Sequence, residues 1–425
     1  MIGPHLVRRA SYSNSQIRVR GDIANTSTIE VYSGHPSSVT IVWNGKSLST
    51  KKTAYGSLIA TLQAPDTSIS LPTLTGWKSA NTLPEIVPSY DDSKWTICNK
   101  TSTLNPITPL TLPVLYASDY DYHVGPKIYR ARFVSPSNLS STLTLNLTAQ
   151  NGLSSGWSSY LNGKHLYSEA GNASLSGQSA NIPISTSLLT TGQGTENVLT
   201  VLVDYTGHDE TSTAKGVENP RGLLGASLAT SNSSQPIPFT SWRIQGTAGG
   251  ATANLDPIRG PMNEGGLLGE RLGWHLPGYS TSGPMWKPGS SPTTTTTPAN
   301  GISWYSTTFQ LDVPSNLDVP MGVSFSAPAG TVARVQFWIN GYMYGKYVPH
   351  IGPQTVFPVP PGILDMQGRN YISVVVWDQS GKGTRLDAVE LVKYAVYESG
   401  FEKGFGGLGT DLRPEWKKGI REKYA

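Results

Sequence analysis

Few side chains in this chain fall at spacings that do chemistry. Its seven histidines are scattered, with no His-x-x-His or His-Glu-x-x-His to hold a metal ion. The compact polar triplet His208-Asp209-Glu210 reads as a solvated loop, with Ca²⁺ held through carboxylate and backbone oxygens as the alternative. Six Asn-x-Ser/Thr acceptor sequences stand at Asn25, Asn99, Asn138, Asn146, Asn172 and Asn232. Chance matches in a Ser/Thr-rich chain account for some of them. The aromatics offer a second chemistry, because sugar rings stack on exposed aromatic faces. Among 11 tryptophans and 20 tyrosines, Trp157, Tyr160, Trp338 and Tyr342 stand nearest two Asn-Gly turns, with Tyr344 and Tyr347 just beyond. These are the sugar-platform candidates. The competing assignment is core or domain interface, since a large aromatic buries roughly 150–250 Å². The alternation at Tyr342 and Tyr344 suggests that one face of that strand meets another domain.

The elements that must position these residues are written twice. One copy opens with Lys127-Ile128-Tyr129-Arg130-Ala131-Arg132-Phe133, turns at Asn162-Gly163 and closes with Asn197-Val198-Leu199-Thr200-Val201-Leu202-Val203-Asp204. The other opens with Ser303-Trp304-Tyr305-Ser306-Thr307-Thr308-Phe309, turns at Asn340-Gly341 and closes with Asn370 to Asp378. Asn162 to Asn340 is 178 residues and Asn197 to Asn370 is 173, so a whole domain recurs rather than a short solenoid unit. Apolar and polar residues alternate in these segments, as in strands with one buried face. Asn-Gly between apolar runs marks a hairpin whose type I′ turn needs φ > 0 at both central residues. With 45 glycines and 31 prolines punctuating the chain, long helices are excluded. The expected fold is all-β: two jelly-roll β-sandwiches preceded by a partial β-sandwich.

Composition narrows the function classes. At 425 residues the chain can bury several cores. Charged residues make up 14% and the net charge is +4, spread along the chain. The one basic concentration, Trp416 to Lys423, reads as a solvated tail, so no nucleic-acid stripe is expected. No apolar run is long enough for a membrane span. Cys98 is the only cysteine, so no intrachain disulfide forms. Low charge and many acceptor sequences lean towards a secreted glycoprotein, yet Met1 to Arg9 lacks the apolar stretch of a signal peptide. That combination points to a piece of something larger.

A set of landmarks in fixed order adds a resemblance. They are Trp77-Lys78 with Thr82-Leu83-Pro84-Glu85, Tyr90-Asp91-Asp92-Ser93-Lys94-Trp95, Leu115 to Tyr120 and Asn219-Pro220-Arg221-Gly222. Gly260 to Leu267, Trp274-His275-Leu276-Pro277, Asn340 to Tyr347 and Ile351 to Leu364 follow. In this order the chain resembles, over nearly its whole length, the C-terminal half of the large secreted fungal β-galactosidases of glycoside hydrolase family 35. The resemblance implies two galactose-binding-like jelly rolls that accompany an N-terminal (β/α)₈ catalytic barrel, here missing. It divides the chain into a partial middle β-domain (1–74), a first jelly roll (75–250), a second (251–398) and a C-terminal tail (399–425). The partial domain should leave a sheet edge uncovered. The family's retaining chemistry uses two glutamates on barrel strands about 5–5.5 Å apart. The nearest imitation here, Asn263-Glu264, is followed by Gly265-Gly266 and reads as structural. No catalytic residue, cofactor or metal ligand is therefore assigned. The expected partners are the parent's catalytic barrel and galactosides. Three functions stay open: an inactive portion with a structural and substrate-access role, a free-standing carbohydrate-binding protein, and a chain active only with a separate barrel. Ser290 to Pro298, rich in threonine, reads as an exposed variable loop.

Overall fold

A computed structural model describes residues 1–34, 39–105, 107–123, 125–136, 142–190, 192, 194–208, 220–230, 236–246, 266–360, 362–401 and 415–419. Among the described residues almost all regular structure is β, with one α-helix of a single turn, Leu268–Arg271, and three short 3₁₀ turns. The alternation in the sequence is the burial pattern of the strands. Leu143–Gln150 buries every second side chain along its length, which is the period-two signature of a strand with one covered face.

Each repeat is two sheets around one core. In the first repeat a six-stranded sheet runs in the spatial order 164–169, 157–161, 196–203, 127–134, 239–245, 96–97. It faces a four-stranded sheet ordered 177–184, 143–150, 222–230, 236–237. Leu145, Leu147, Trp157, Val201 and Ile244 fill the space between them. The second repeat has the same plan, with a six-stranded sheet ordered 342–347, 333–339, 369–378, 302–310, 78–81, 287–288. Its facing sheet is 356–359, 321–326, 388–393, and Val323, Phe325, Phe337, Val374 and Val376 form the core. Complete burial of each such side chain contributes roughly 1.5–3 kcal/mol.

The six-stranded sheets differ in the origin of one strand. The fifth position is filled in the first repeat by Phe239–Gln245, from late in the chain. In the second it is filled by Lys78–Asn81, from far upstream, pairing antiparallel with Ser303–Ser306. Leu74 and Trp77 likewise belong to the core of the second repeat. The lead-in at 75–81, assigned from sequence to the first jelly roll, therefore packs in the second. The chain visits the second repeat before it builds the first, and the two are interlocked.

Both Asn-Gly pairs link adjacent antiparallel strands, and their details coincide. Asn162 and Asn340 have φ of 51° and 48°, and the following glycines 83° and 88°. The Asn162 Nδ2 donates to Asn197 Oδ1 (2.7 Å) and Leu188 O (2.9 Å), while its Oδ1 accepts from Val198 N (2.9 Å). The Asn340 Nδ2 donates to Asn370 Oδ1 (2.8 Å) and Ile363 O (2.7 Å), and its Oδ1 accepts from Tyr371 N (2.9 Å). Asn thus serves twice: it tolerates the left-handed turn and it ties the hairpin to the start of the closing strand. Replacing Asn340 by glycine keeps the backbone freedom but removes three hydrogen bonds at a buried site. A loss of about 2–3 kcal/mol is expected, with the same loss for Asn162→Gly, measured by urea denaturation. A cost below about 0.5 kcal/mol would show that the turn alone matters.

The N-terminal unit carries a small core of Val19, Ile29, Ile41, Trp43 and Leu58 between two sheets. Its edge strand Leu6–Ser13 is exposed along its whole length and pairs only with Gln16–Asp22. The unit is tied to the second repeat. Asp22 accepts from Ser399 Oγ (2.9 Å) and Gly400 N (3.1 Å), and Ile23 pairs with Glu398. Two loop readings change. The threonine-rich stretch is only partly exposed: Thr294, Thr296 and Pro298 are, but Ser291, Pro292 and Thr297 are buried, and Thr297 exchanges backbone hydrogen bonds with Thr384 at 2.7 and 3.1 Å. The tail is not wholly solvated, since Trp416 donates its Nε1 to Leu272 O (3.2 Å) and packs edge-on against Tyr279.

Candidate functional site

The closing strands are buried on both faces because each six-stranded sheet turns its outer face to the other repeat. Ile128, Tyr160 and Leu202 from the first repeat meet Trp304, Trp338, Met343, Val375 and Trp377 from the second. Trp304 and Trp338 stack with centroids 4.8 Å apart and planes at 19°, and Trp274 meets Trp304 edge-on at 5.7 Å. Polar groups close the rim. Asp204 accepts from Arg334 Nη1 at 2.7 Å and Lys346 Nζ at 2.9 Å, both from the second repeat. Arg334 Nη2 also donates to Ala170 O (2.8 Å), and the Tyr160 hydroxyl donates to Asn300 O (2.7 Å).

Burial pushes the Asp204 carboxyl up, but the charges of Lys346 and Arg334 outweigh it and hold the group below the usual carboxylate range. Glu85, buried against Arg271, goes the other way: desolvation wins and raises it. Asp92 is shared by Arg130 (2.5 Å) and Arg132 (2.9 Å), and Asp22 is held by Arg8 (2.5 Å). Each of these four buried carboxylates is therefore engaged by a cation.

This arrangement reassigns the sugar-platform candidates. Trp157 lies in the core of the first repeat, and Tyr160 and Trp338 lie between the repeats, each at most 2% exposed. None presents a face to a sugar. Tyr342 is half-buried, Tyr344 packs against the second core and Tyr347 belongs to it. Met343 and Lys346 of the same strand reach the first repeat.

Of the acceptor asparagines, Asn25, Asn99 and Asn172 are exposed, while Asn146 is half-buried in mid-strand and donates to Ser227 Oγ (3.3 Å). Asn138, Asn232, Asp209, Glu210 and Glu264 lie outside the described residues. His208 Nε2 sits 3.0 Å from His123 Nδ1 and 2.9 Å from the Tyr205 hydroxyl. Among the described residues no three His, Cys, Asp or Glu side chains gather as a metal cage. Gly152-Leu153-Ser154-Ser155-Gly156 has the Gly-x-Ser-x-Gly spacing and Ser154 has φ 61°. It joins two strands, however, and lacks the strand-to-helix geometry of a nucleophile elbow.

Two concave sites stand out among the described residues. An open cleft of about 880 Å³ is lined by Lys100, Thr103, Asn105, Asp119, Asp121 and His123. A smaller pocket of about 240 Å³ lies where the Trp-rich outer face of the second repeat runs into Ser306, Thr308, Tyr371 and Ser373, under Trp274 and Tyr279. Sequence reasoning assigned none of these hydroxyl residues, nor Asp204, Arg334 and Lys346. The only signal was positional: Asp204 and Asp378 end the two closing strands.

The repeat seen in the strands is also a repeat of one family. A profile of the β-galactosidase second all-β domain matches residues 90–209 and 268–382, one stretch in each repeat. The chain belongs to the β-galactosidase family. The profile of β-galactosidase domain 3 matches residues 1–59, in the N-terminal unit. The chain is 53% identical over 426 residues to the probable β-galactosidase C of Sclerotinia sclerotiorum, covering all of this chain and 42% of that protein. It is 50% identical over 437 residues to the protein of the same name from Aspergillus niger, again covering all of this chain and 42% of that protein. It thus spans about two fifths of the length of the curated relatives it matches.

Proposed function

We propose that this chain is the non-catalytic, C-terminal jelly-roll portion of a secreted family 35 β-galactosidase. Its repeats pack beside a catalytic barrel, support it and shape access of terminal β-galactosides to its site. The observation that carries this reading is the state of the carboxylates. A retaining glycosidase needs two of them about 5–5.5 Å apart and free to act as acid/base and nucleophile. Of the six buried carboxylates among the described residues, Glu85, Asp92, Asp204 and Asp22 are each committed to an arginine or lysine, Asp378 accepts from Ser380, Thr384 and Asn300 N, and Glu270 accepts from Gly266 N. The matches to all-β domains of the family, over a chain two fifths as long as its relatives, support the same assignment. The exposed Asn25, Asn99 and Asn172 suit a glycosylated, extracellular protein.

The test is hydrolysis of a nitrophenyl β-galactoside by the purified chain. The expected rate is that of the uncatalysed reaction. Turnover well above it, removed by one Glu→Gln substitution in this chain, would overturn the proposal.

A further inference from the structure

The two repeats diverge at one equivalent place, and the divergence opens a pocket. Tyr129 and Phe133 of the first opening strand match Tyr305 and Phe309 of the second, and all four point into their own cores. Of the residues between them, Arg130 and Arg132 face outward in one repeat and Ser306 and Thr308 in the other. A lead-in segment covers this face in both. Trp95 precedes the short strand Thr96–Ile97 as Trp286 precedes Lys287–Pro288, and both tryptophans join the cluster between the repeats.

In the first repeat the arginines fill the space beneath the lead-in. Arg130 donates to Tyr90 O and Val87 O (both 2.9 Å) and pairs with Asp92, which Arg132 shares. In the second repeat hydroxyls replace the guanidinium groups, and about 240 Å³ stays open. The floor is the cross-strand pair Ser306 and Ser373, hydrogen-bonded at 2.9 Å, followed by the pair Thr308 and Tyr371. Trp274 and Tyr279 stand opposite. Trp416, edge-on to Tyr279 at 5.5 Å, holds that ring in place.

The lining selects a chemistry. Hydroxyls both donate and accept, so they meet the rim of a polyol in either sense. Aromatic carbon meets its C–H face. Among the described residues no carboxylate lines the pocket; of its two basic side chains, Lys78 already donates to Thr281 O (3.2 Å) and His275 is buried against Trp338. The volume suits one ring rather than an oligosaccharide. We propose that this pocket binds one neutral pyranose ring, galactose or a close relative, against Tyr279, with hydrogen bonds from Thr308, Ser373 and Tyr371. The choice of a sugar among neutral polyols rests on the function proposed above, whereas the site itself needs no hydrolytic activity.

The experiment is titration of the full chain with galactose and with glucose, followed by isothermal calorimetry and ligand-observed NMR. Saturable binding with Kd on the order of 1 mM is expected for at least one of them, as befits a single small ring. Thr308→Trp, at an exposed position on the pocket wall, should weaken it at least about tenfold, and Tyr371→Phe about fivefold, corresponding to one lost hydrogen bond. Thermal unfolding checks that each variant is folded, and the phenylalanine variant decides if the tryptophan one is not. Absence of saturable binding of either sugar, or binding that the folded variants leave unchanged, overturns the proposal. The nitrophenyl galactoside assay on the same preparation separates the two claims. Turnover there would sink the non-catalytic reading and leave the pocket standing, while failed binding without turnover sinks the pocket alone.

Discussion

Asp204→Asn is expected to destabilise the folded chain by about 3–5 kcal/mol at neutral pH, the range seen when one partner of a buried ion pair is removed. The substitution leaves Arg334 and Lys346 facing a neutral amide. Arg334 is 4% exposed and cannot recover its hydration. The pH dependence gives the sign. The Asp204 carboxyl is held below the usual range by Lys346 and Arg334 against its burial. An acid depressed in the fold contributes stability above its unfolded value and loses it as pH falls through the folded value. The gap between wild type and variant should therefore be full from neutral pH down to about pH 4, the ordinary aspartate value, and shrink below it. Urea denaturation at neutral pH and at successively lower values measures it. A gap that does not change with pH would show that shape, not charge, is what Asp204 supplies. Glu85 runs the other way. Its carboxyl is raised by burial, so the fold favours the protonated form and this site weakens the structure as pH rises through the usual carboxylate range.

Trp338→Ala and Trp304→Ala should each cost about 3–5 kcal/mol, as large-to-small changes in a packed core do. Both rings are fully buried and stack on one another between the repeats. Because they touch, the double variant should cost less than the sum, with a coupling of about 0.5–3 kcal/mol. Tyr55, 88% exposed, serves as the control: its replacement by alanine should change stability by less than about 0.5 kcal/mol. Equilibrium denaturation of the four variants decides. If Trp338→Ala were as mild as Tyr55→Ala, the interface between repeats would not be a core, and its tryptophans would return to consideration as binding surfaces.

Local physics made much of the fold legible from sequence. Alternation in Leu143–Gln150 specified a strand with one covered face, because successive side chains of a strand point to opposite sides whatever the partner. Asn162-Gly163 and Asn340-Gly341 specified hairpins, because few residue pairs tolerate two consecutive positive φ values. The all-β class and the duplication follow from such short-range signals repeated in order. The strand Leu6–Ser13 escaped, since its side chains are exposed on both faces and leave no period to read; it forms only by pairing with Gln16–Asp22.

What lies on the second face of each sheet was decided only by tertiary structure. The period of Glu196–Val203 gives one buried face, but the chain shows all but its first residue buried, because another sheet covers the outer side. The same covering turned Tyr160 and Trp338 from candidate platforms into interface, and brought Arg334 to Asp204 across 130 residues. It sent Lys78–Asn81 into the second repeat. Arg130 and Ser306 hold equivalent positions, yet one is buried with Asp92 and the other floors a pocket. A side chain's type fixes what it can bond to, but whether it meets solvent, a partner or a cavity depends on residues far along the chain, whose placement no local pattern encodes.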